Sequence, residues 1–157
     1  MQGLLHGFFQ LGYVTTDLDA ALAVYRERFA APRFWVFDNA AARPDDPHPN
    51  RVALAWIGET MVELIQPIRE PSPLYASALP AKGVRLHHLG YLVRDEARWN
   101  EVMAGLQREA MRIDRHGKVG EALEYVYADA QAQLGHYLEY VWVKTGQPDF
   151  FSGVPRN

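Results

Sequence analysis

The chain has no cysteine among its 157 residues. Disulfides and thiolate chemistry are therefore excluded, and any metal must be held by nitrogen and oxygen. No apolar run approaches the roughly 20 residues needed to span a bilayer, so no membrane partner is expected. Basic charge is not in excess. The 16 Lys and Arg are scattered and stand against 19 Asp and Glu, a net charge of −3, which argues against nucleic acid and anionic surfaces as partners. The opening residues, Met1-Gln2-Gly3-Leu4-Leu5-His6-Gly7, lack a basic segment followed by a long apolar one, so no secretory signal peptide is expected. Together with the missing cysteine, this fits a cytoplasmic location. What is present is an ordinary globular composition, 48% hydrophobic and 22% charged, long enough to bury a substantial interior as a single domain over 1–157.

The chain repeats itself. Phe8-Phe9-Gln10-Leu11-Gly12-Tyr13-Val14-Thr15 is echoed by Leu86-His87-His88-Leu89-Gly90-Tyr91-Leu92-Val93. Aligning the two Leu-Gly-Tyr cores puts Gln10 on His88 and, at the same offset, Asp17 on Asp95. At nearly that offset, Met61-Val62-Glu63-Leu64-Ile65 matches Tyr137-Leu138-Glu139-Tyr140-Val141. Self-similarity at half the chain length reads as a duplicated module.

Period and composition give each half the order β-α-β-β-β. In the first half, residues 8–15 read as a strand and Asp17 caps a helix over 18–29, with Leu18, Leu22, Tyr25 and Phe29 on its core face. Strands follow at 34–37, 52–57 and 60–65, the last two turning at Gly58-Glu59. A proline-rich loop at 38–50 has the length of a lid or binding loop, from which His48 could touch a substrate. In the second half, a strand at 86–93 precedes a helix over 96–109 and strands near 111–116, 122–128 and 136–143. The expected organisation is module one at 7–66, a linker at 67–84 with a short helix near 74–79, module two at 85–144 and an irregular tail at 145–157. The tail's adjacent Phe150 and Phe151 are expected to pack over a cleft mouth or a partner chain.

Four polar residues occupy equivalent positions in the two halves: Gln10, Glu63, His88 and Glu139. Neighbours on a strand point to opposite faces, so His87 and His88 cannot share one cavity, and the repeat selects His88. Glu63 and Glu139 each sit between apolar neighbours, where a carboxylate costs several kcal/mol unless paired, neutralised or metal-bound. One imidazole, one amide oxygen and two carboxylates suit a divalent cation such as Zn, Ni, Co, Mn or Mg. Taken singly, a strand glutamate is most often on a solvated face and a lone histidine is most often structural. The symmetry of all four favours a shared site. His136 reads as peripheral, and His116, Glu121 and Glu124 as a solvated hairpin end. Trp35, Phe37, Trp56, Tyr125, Tyr127 and Trp142 would line or back the sheet, most of them as core.

On these residues the chain resembles the vicinal-oxygen-chelate superfamily, the glyoxalase/bleomycin-resistance/dioxygenase group. The carriers are Gln10-Leu11-Gly12-Tyr13-Val14 with Asp17-Leu18-Asp19, Val62-Glu63-Leu64, His88-Leu89-Gly90-Tyr91-Leu92-Val93 and Gly135-His136-Tyr137-Leu138-Glu139. The linker from Pro71-Ser72-Pro73-Leu74 through Lys82-Gly83-Val84, with His87-His88, is similar to the methylmalonyl-CoA epimerase branch. The ligand set Gln/Glu/His/Glu looks more like that of glyoxalase I, a lactoylglutathione lyase. The resemblance implies an α+β fold of two tandem βαβββ modules, paired edge to edge as a curved sheet around a metal-binding cleft. It also implies a divalent metal held by Gln10, Glu63, His88 and Glu139, and a homodimer as the expected assembly, with the modules pairing within one chain or across the dimer.

The chemistry this implies is an isomerase or lyase acting on a small carbonyl or thioester substrate. Proton transfer next to the carbonyl would pass through an enediolate, with Glu139 first and Glu63 second as general base. Two other readings stand beside it. A metal-free protein could sequester a hydrophobic or aromatic molecule in the same cleft. A ring-cleaving dioxygenase would use ferrous iron, but Gln10 replaces one of the two histidines such a site needs.

Overall fold

The computed structural model describes residues 3–40 and 45–157. The fold is α+β, and the described residues form eight strands and four helices in the order of two βαβββ modules. The first module runs β1 (Phe8–Thr15), α1 (Leu18–Arg28), β2 (Trp35–Asp38), β3 (Asn50–Ile57) and β4 (Thr60–Pro67). After the short helix α2 (Pro73–Ala76) come β5 (Val84–Val93), α3 (Glu96–Arg108), β6 (Ile113–Val119) and β7 (Leu123–Asp129). A one-turn helix, α4 (Gln131–Leu134), precedes β8 (Tyr137–Val143). Residues 41–44 of the proline-rich loop lie outside the described residues. Among the described residues no helix is long and apolar enough to cross a membrane.

The chain divides into two compact units that do not coincide with its halves. One contains Leu11–His87 with Gly153–Asn157, and the other contains 3–10 with His88–Ser152. Strands β1 and β5 therefore each contribute to both.

In the unit of Leu11–His87, the strand order is β2-β3-β4-β1. Both β2 and β4 pair antiparallel with β3, in a register that sets Leu54 between Trp35 and Glu63. Asp17 starts α1 by accepting a hydrogen bond from the Ala20 amide at 2.9 Å, which satisfies one of the helix's unpaired donors. Leu18 and Ala21 then pack on Ala53, Val62 and Leu64. Phe29 departs from expectation. The helix ends at Arg28, so Phe29 becomes the cap residue and its ring is 65% exposed.

The tail closes this unit. The Trp56 amide donates to the Pro155 carbonyl at 2.9 Å, and Arg156 stacks its guanidinium over the Trp56 ring at 4.7 Å. The Asn157 side chain accepts from the Arg33 amide and donates to the Arg33 carbonyl, each at 2.9 Å.

In the unit of His88–Ser152, the order is β5-β8-β7-β6, with β5 parallel to β8 and the other pairs antiparallel. Asp95 repeats the role of Asp17, accepting from the Arg98 amide at 2.8 Å. Trp99, Val102 and Leu106 of α3 pack on Tyr91, Val93, Val126, Leu138 and Tyr140. Full burial of side chains such as Val102 and Leu106 stabilises by about 1.5–3 kcal/mol each. Phe151, nine-tenths buried, packs on Phe9 with ring centroids 5.5 Å apart, so the tail aromatic covers the start of β1.

Both long helices end on an alanine in the left-handed region, Ala30 at φ 52° and Ala110 at φ 51°. The duplication thus extends to the helix stops.

Candidate metal and active site

Strand alternation places His88, Gly90, Tyr137, Glu139, Val141, Tyr125 and Tyr127 on one face of their unit, because β5, β8 and β7 pair His88 with Tyr137, Gly90 with Glu139 and Glu139 with Tyr127. The other face, with Leu138 and Tyr140, carries α3. His88 is fully buried and Glu139 is 7% exposed, with His88 Nε2 3.2 Å from Glu139 Oε2. Tyr127 sets its ring edge-on to the His88 imidazole at 5.1 Å, which holds the imidazole plane.

Gln10, 2% exposed, comes to the same face from β1. Gly90 gives it room. A Cβ at Gly90 would stand 2.7 Å from the Gln10 Cβ and 2.8 Å from its Oε1. The position opposite Glu139 can therefore hold only a glycine while Gln10 keeps its place.

These donors fit a divalent cation. They are nitrogen and oxygen atoms in a buried setting, and two ligands bonded at about 2.1 Å to one ion at tetrahedral or right angles lie about 3.0–3.4 Å apart. The His88–Glu139 distance of 3.2 Å is of that size. It is also within ion-pair range for a protonated imidazole.

In the other unit, Glu63 of β4 is half-buried opposite Leu54, on the face away from α1. The glutamates thus occupy the same strand position in both modules, and both face away from their helix.

Three other histidines are engaged elsewhere. His87 points away from His88, and its Nε2–H donates to the Leu74 carbonyl at 2.8 Å with the Tyr75 ring beside it. His48 contacts the Glu70 carbonyl at 3.0 Å, and His136 contacts the Tyr137 carbonyl at 2.9 Å.

Glu124 differs from expectation. It is 8% exposed on the α3 face of β7, where His116 Nε2 lies 2.6 Å and Lys144 Nζ 3.1 Å away. Burial alone would raise its carboxyl pKa. The hydrogen bonds from His116 and Lys144 and the charge of Lys118 outweigh this and hold it below the usual range. The strand expected near 122–128 runs Leu123–Asp129, and alternation with Val126 and Ala128 puts Glu124 on the α3 face instead of at a solvated turn.

A further polar chain joins β6 to β8. The Tyr137 hydroxyl donates to Asp114 at 2.7 Å, and Arg112 bridges Asp114 and Asp129. Burial and the Asp114 carboxylate push the Tyr137 phenol up to about 12.

Residues 9–127 match the family described as the glyoxalase/bleomycin resistance protein/dioxygenase superfamily. No curated protein matches the chain by sequence. Among solved structures, methylmalonyl-CoA epimerase from Mycobacterium tuberculosis is 16% identical, with a TM-score of 0.64 and 91% of each chain covered. A Streptomyces coelicolor methylmalonyl-CoA epimerase variant in complex with 2-nitronate-propionyl-CoA is 17% identical, with a TM-score of 0.63, covering 88% of this chain and 98% of that one. A hypothetical protein from Bacillus halodurans is 15% identical at a TM-score of 0.66, covering 90% of this chain and 97% of that one. At these identities the likeness is one of fold.

Proposed function

The chain belongs to the glyoxalase/bleomycin resistance protein/dioxygenase superfamily, and we propose that it is a metal-dependent isomerase or lyase that moves a proton on the carbon next to a carbonyl. The observation that carries this reading is the buried trio of Gln10, His88 and Glu139 on one strand face, with Gly90 leaving space for Gln10. A carboxylate and an imidazole so deeply buried need a strong partner, and a divalent cation is one that uses all three. Gln10, His88 and Glu139 are the candidate ligands on this face, and Glu63 is added as the residue at the repeat position of Glu139.

When bound, the metal supplies Lewis-acid polarisation of the substrate carbonyl. Glu139 is the first candidate to take the proton. One of its carboxylate oxygens lies 3.2 Å from His88 Nε2, on the face where substrate would bind. Glu63 is the second, from the equivalent position of the other module. The apolar neighbours Val141 and Tyr127 exclude water from the Glu139 side, so a proton taken up there is held rather than lost to solvent. The likeness to the Streptomyces coelicolor epimerase bound to 2-nitronate-propionyl-CoA makes 2-methyl acyl-CoA thioesters one class to test; the ligand set makes hemithioacetals the other.

The test is metal content of protein purified without chelator, with Gln10→Ala and Glu139→Ala alongside. It is followed by NMR detection of solvent deuterium entering the α-carbon of each substrate class. Near-stoichiometric metal that drops in both variants, with deuterium uptake abolished by Glu139→Gln, is the expected result. Protein that takes up no Zn, Ni, Co, Mn or Mg would overturn the reading in favour of metal-free sequestration, and stoichiometric iron would turn it to oxygen chemistry.

A further inference from the structure

The two modules differ where their last two strands meet. In the first, β3 turns into β4 through Gly58-Glu59, whereas β7 and β8 are joined by α4. The added residues wall a cavity of about 540 Å³, within the roughly 300–1,000 Å³ of small-molecule sites. It is built wholly within the unit of 3–10 and His88–Ser152, from the end of α3, α4, Leu138 and the N-terminal Leu4 and Leu5. Leu138 is on the α3 face of β8, so the cavity lies on the side of the sheet opposite Glu139.

The N-terminal wall is tied in place. Arg98 donates to the Gly3 carbonyl at 2.7 Å, and the Leu92 amide donates to the Gly7 carbonyl at 2.8 Å. Between them Leu4 packs on α3, where a Cβ at Gly105 would stand 2.9 Å from Leu4 Cδ2. The apolar lining is left open all the same. Leu5 is 57% exposed and Leu134 49%, two leucines from separate segments that border one cavity. An apolar body seated there would take both out of water.

Charge selects the other end of the ligand. Glu109 and Asp129 line the cavity against Arg112, which is already shared between Asp114 and Asp129. Asp129 is well occupied, since it also accepts from the Gln131 amide and side chain. Glu109 is not. It caps the C-terminal end of α3, where the helix dipole disfavours an acid and attracts a cation. Its ion pair with Arg108, at 3.4 Å, joins two side chains that are each 57% exposed, a contact that contributes little.

We propose that this cavity binds a cationic amphiphile, a protonated amine on an alkyl or other apolar body. The ammonium is received by Glu109 and the body by Leu5, Met111 and Leu134. An anionic amphiphile of the same length would set its carboxylate against Glu109 and Asp129, and is selected against. The inference does not depend on the metal-dependent reading, because the cavity and Glu139 lie on opposite faces of the sheet.

The experiment titrates octylammonium, octanol and octanoate into isotope-labelled protein at neutral pH, each below its aggregation limit, and follows the amide NMR shifts. Octylammonium is expected to saturate, with shifts centred on Leu5, Met111 and Leu134, and to bind at least tenfold more tightly than octanoate. Glu109→Lys should bring that preference below threefold and leave octanol affinity unchanged. Leu134→Ser should weaken both octylammonium and octanol by at least threefold. Both positions are exposed, and thermal melts establish that each variant is folded. Equal affinity for octylammonium and octanoate, or a preference untouched in folded Glu109→Lys, would overturn the inference. So would shifts that never saturate, or that centre on His88 and Glu139. The saturating shifts should be the same with and without added metal, so protein that shows them yet takes up no metal would overturn the metal reading and keep this site.

Discussion

Gly90 and Gln10 fit together as space and occupant: the volume a side chain at Gly90 would fill is taken by the Gln10 side chain, with a 2.7 Å approach to its Cβ. The atom that would clash is the root of the side chain, so rotation cannot relieve it and strand β1 itself must shift. Gly90→Ala is expected to cost about 1–3 kcal/mol by overpacking. Metal affinity should fall at least tenfold, because Gln10 is moved off the face it shares with His88 and Glu139. Thermal melts and metal titration of the same preparation check both parts.

His88 Nε2 and Glu139 Oε2 lie 3.2 Å apart, and metal binding at this pair should add stability. At a free metal concentration of about 100 times Kd, the native state should gain about 2.7 kcal/mol. Chelation should remove that gain, and Glu139→Ala should abolish the metal-dependent shift. Differential scanning calorimetry with and without chelator gives the measurement.

Ala30 and Ala110 stop their helices with φ of 52° and 51°, a conformation that costs a residue bearing a Cβ about 1–2 kcal/mol. Ala30→Gly and Ala110→Gly should each stabilise by roughly 0.5–1 kcal/mol after the added freedom of the unfolded chain is subtracted. In a chain of this size that amounts to about 1–4 °C in Tm. The double variant should be additive, since the two helices pack in separate units.

Glu124 and Asp114 predict the acid limb of stability. Burial would raise both carboxyls, yet both are held below their usual values. Glu124 is held down by His116, Lys144 and Lys118, and Asp114 by Tyr137 and Arg112. A carboxylate depressed in the folded state contributes stability above its unfolded pKa, about 4 for these groups, and loses it as pH falls through the folded value. Urea unfolding should therefore show stability declining below about pH 4. Glu124→Gln should be less stable than wild type at neutral pH, with the two curves converging as pH falls through that window.

Much of this was readable from the chain. Asp17 and Asp95 were legible as helix caps because a short acceptor before an apolar-periodic run has one structural use. The repeat placed Gln10 with His88 and Glu63 with Glu139, and the structure sets Gln10, His88 and Glu139 together. Glu124 was not legible as a buried carboxylate, because its partners His116 and Lys144 come from the neighbouring strand and the end of β8, which spacing along the chain does not bring together. The one-turn helix at Gln131–Leu134 is too short to show a period. Phe29 has the right spacing for a core residue, but the left-handed stop at Ala30 turns the chain before the ring can be buried.

The division of β1 and β5 between the two units has a consequence for how such a gene can change. A duplication ordinarily leaves two copies that can be separated again. Here residues 8–10 of the first copy lie with the strands of the second, and residues 84–87 of the second lie with the first. A break in the linker would strip each fragment of part of its own unit, so neither half is a portable piece. Selection on Gln10 is accordingly exercised by His88 and Glu139, which a different copy of the ancestral module encodes.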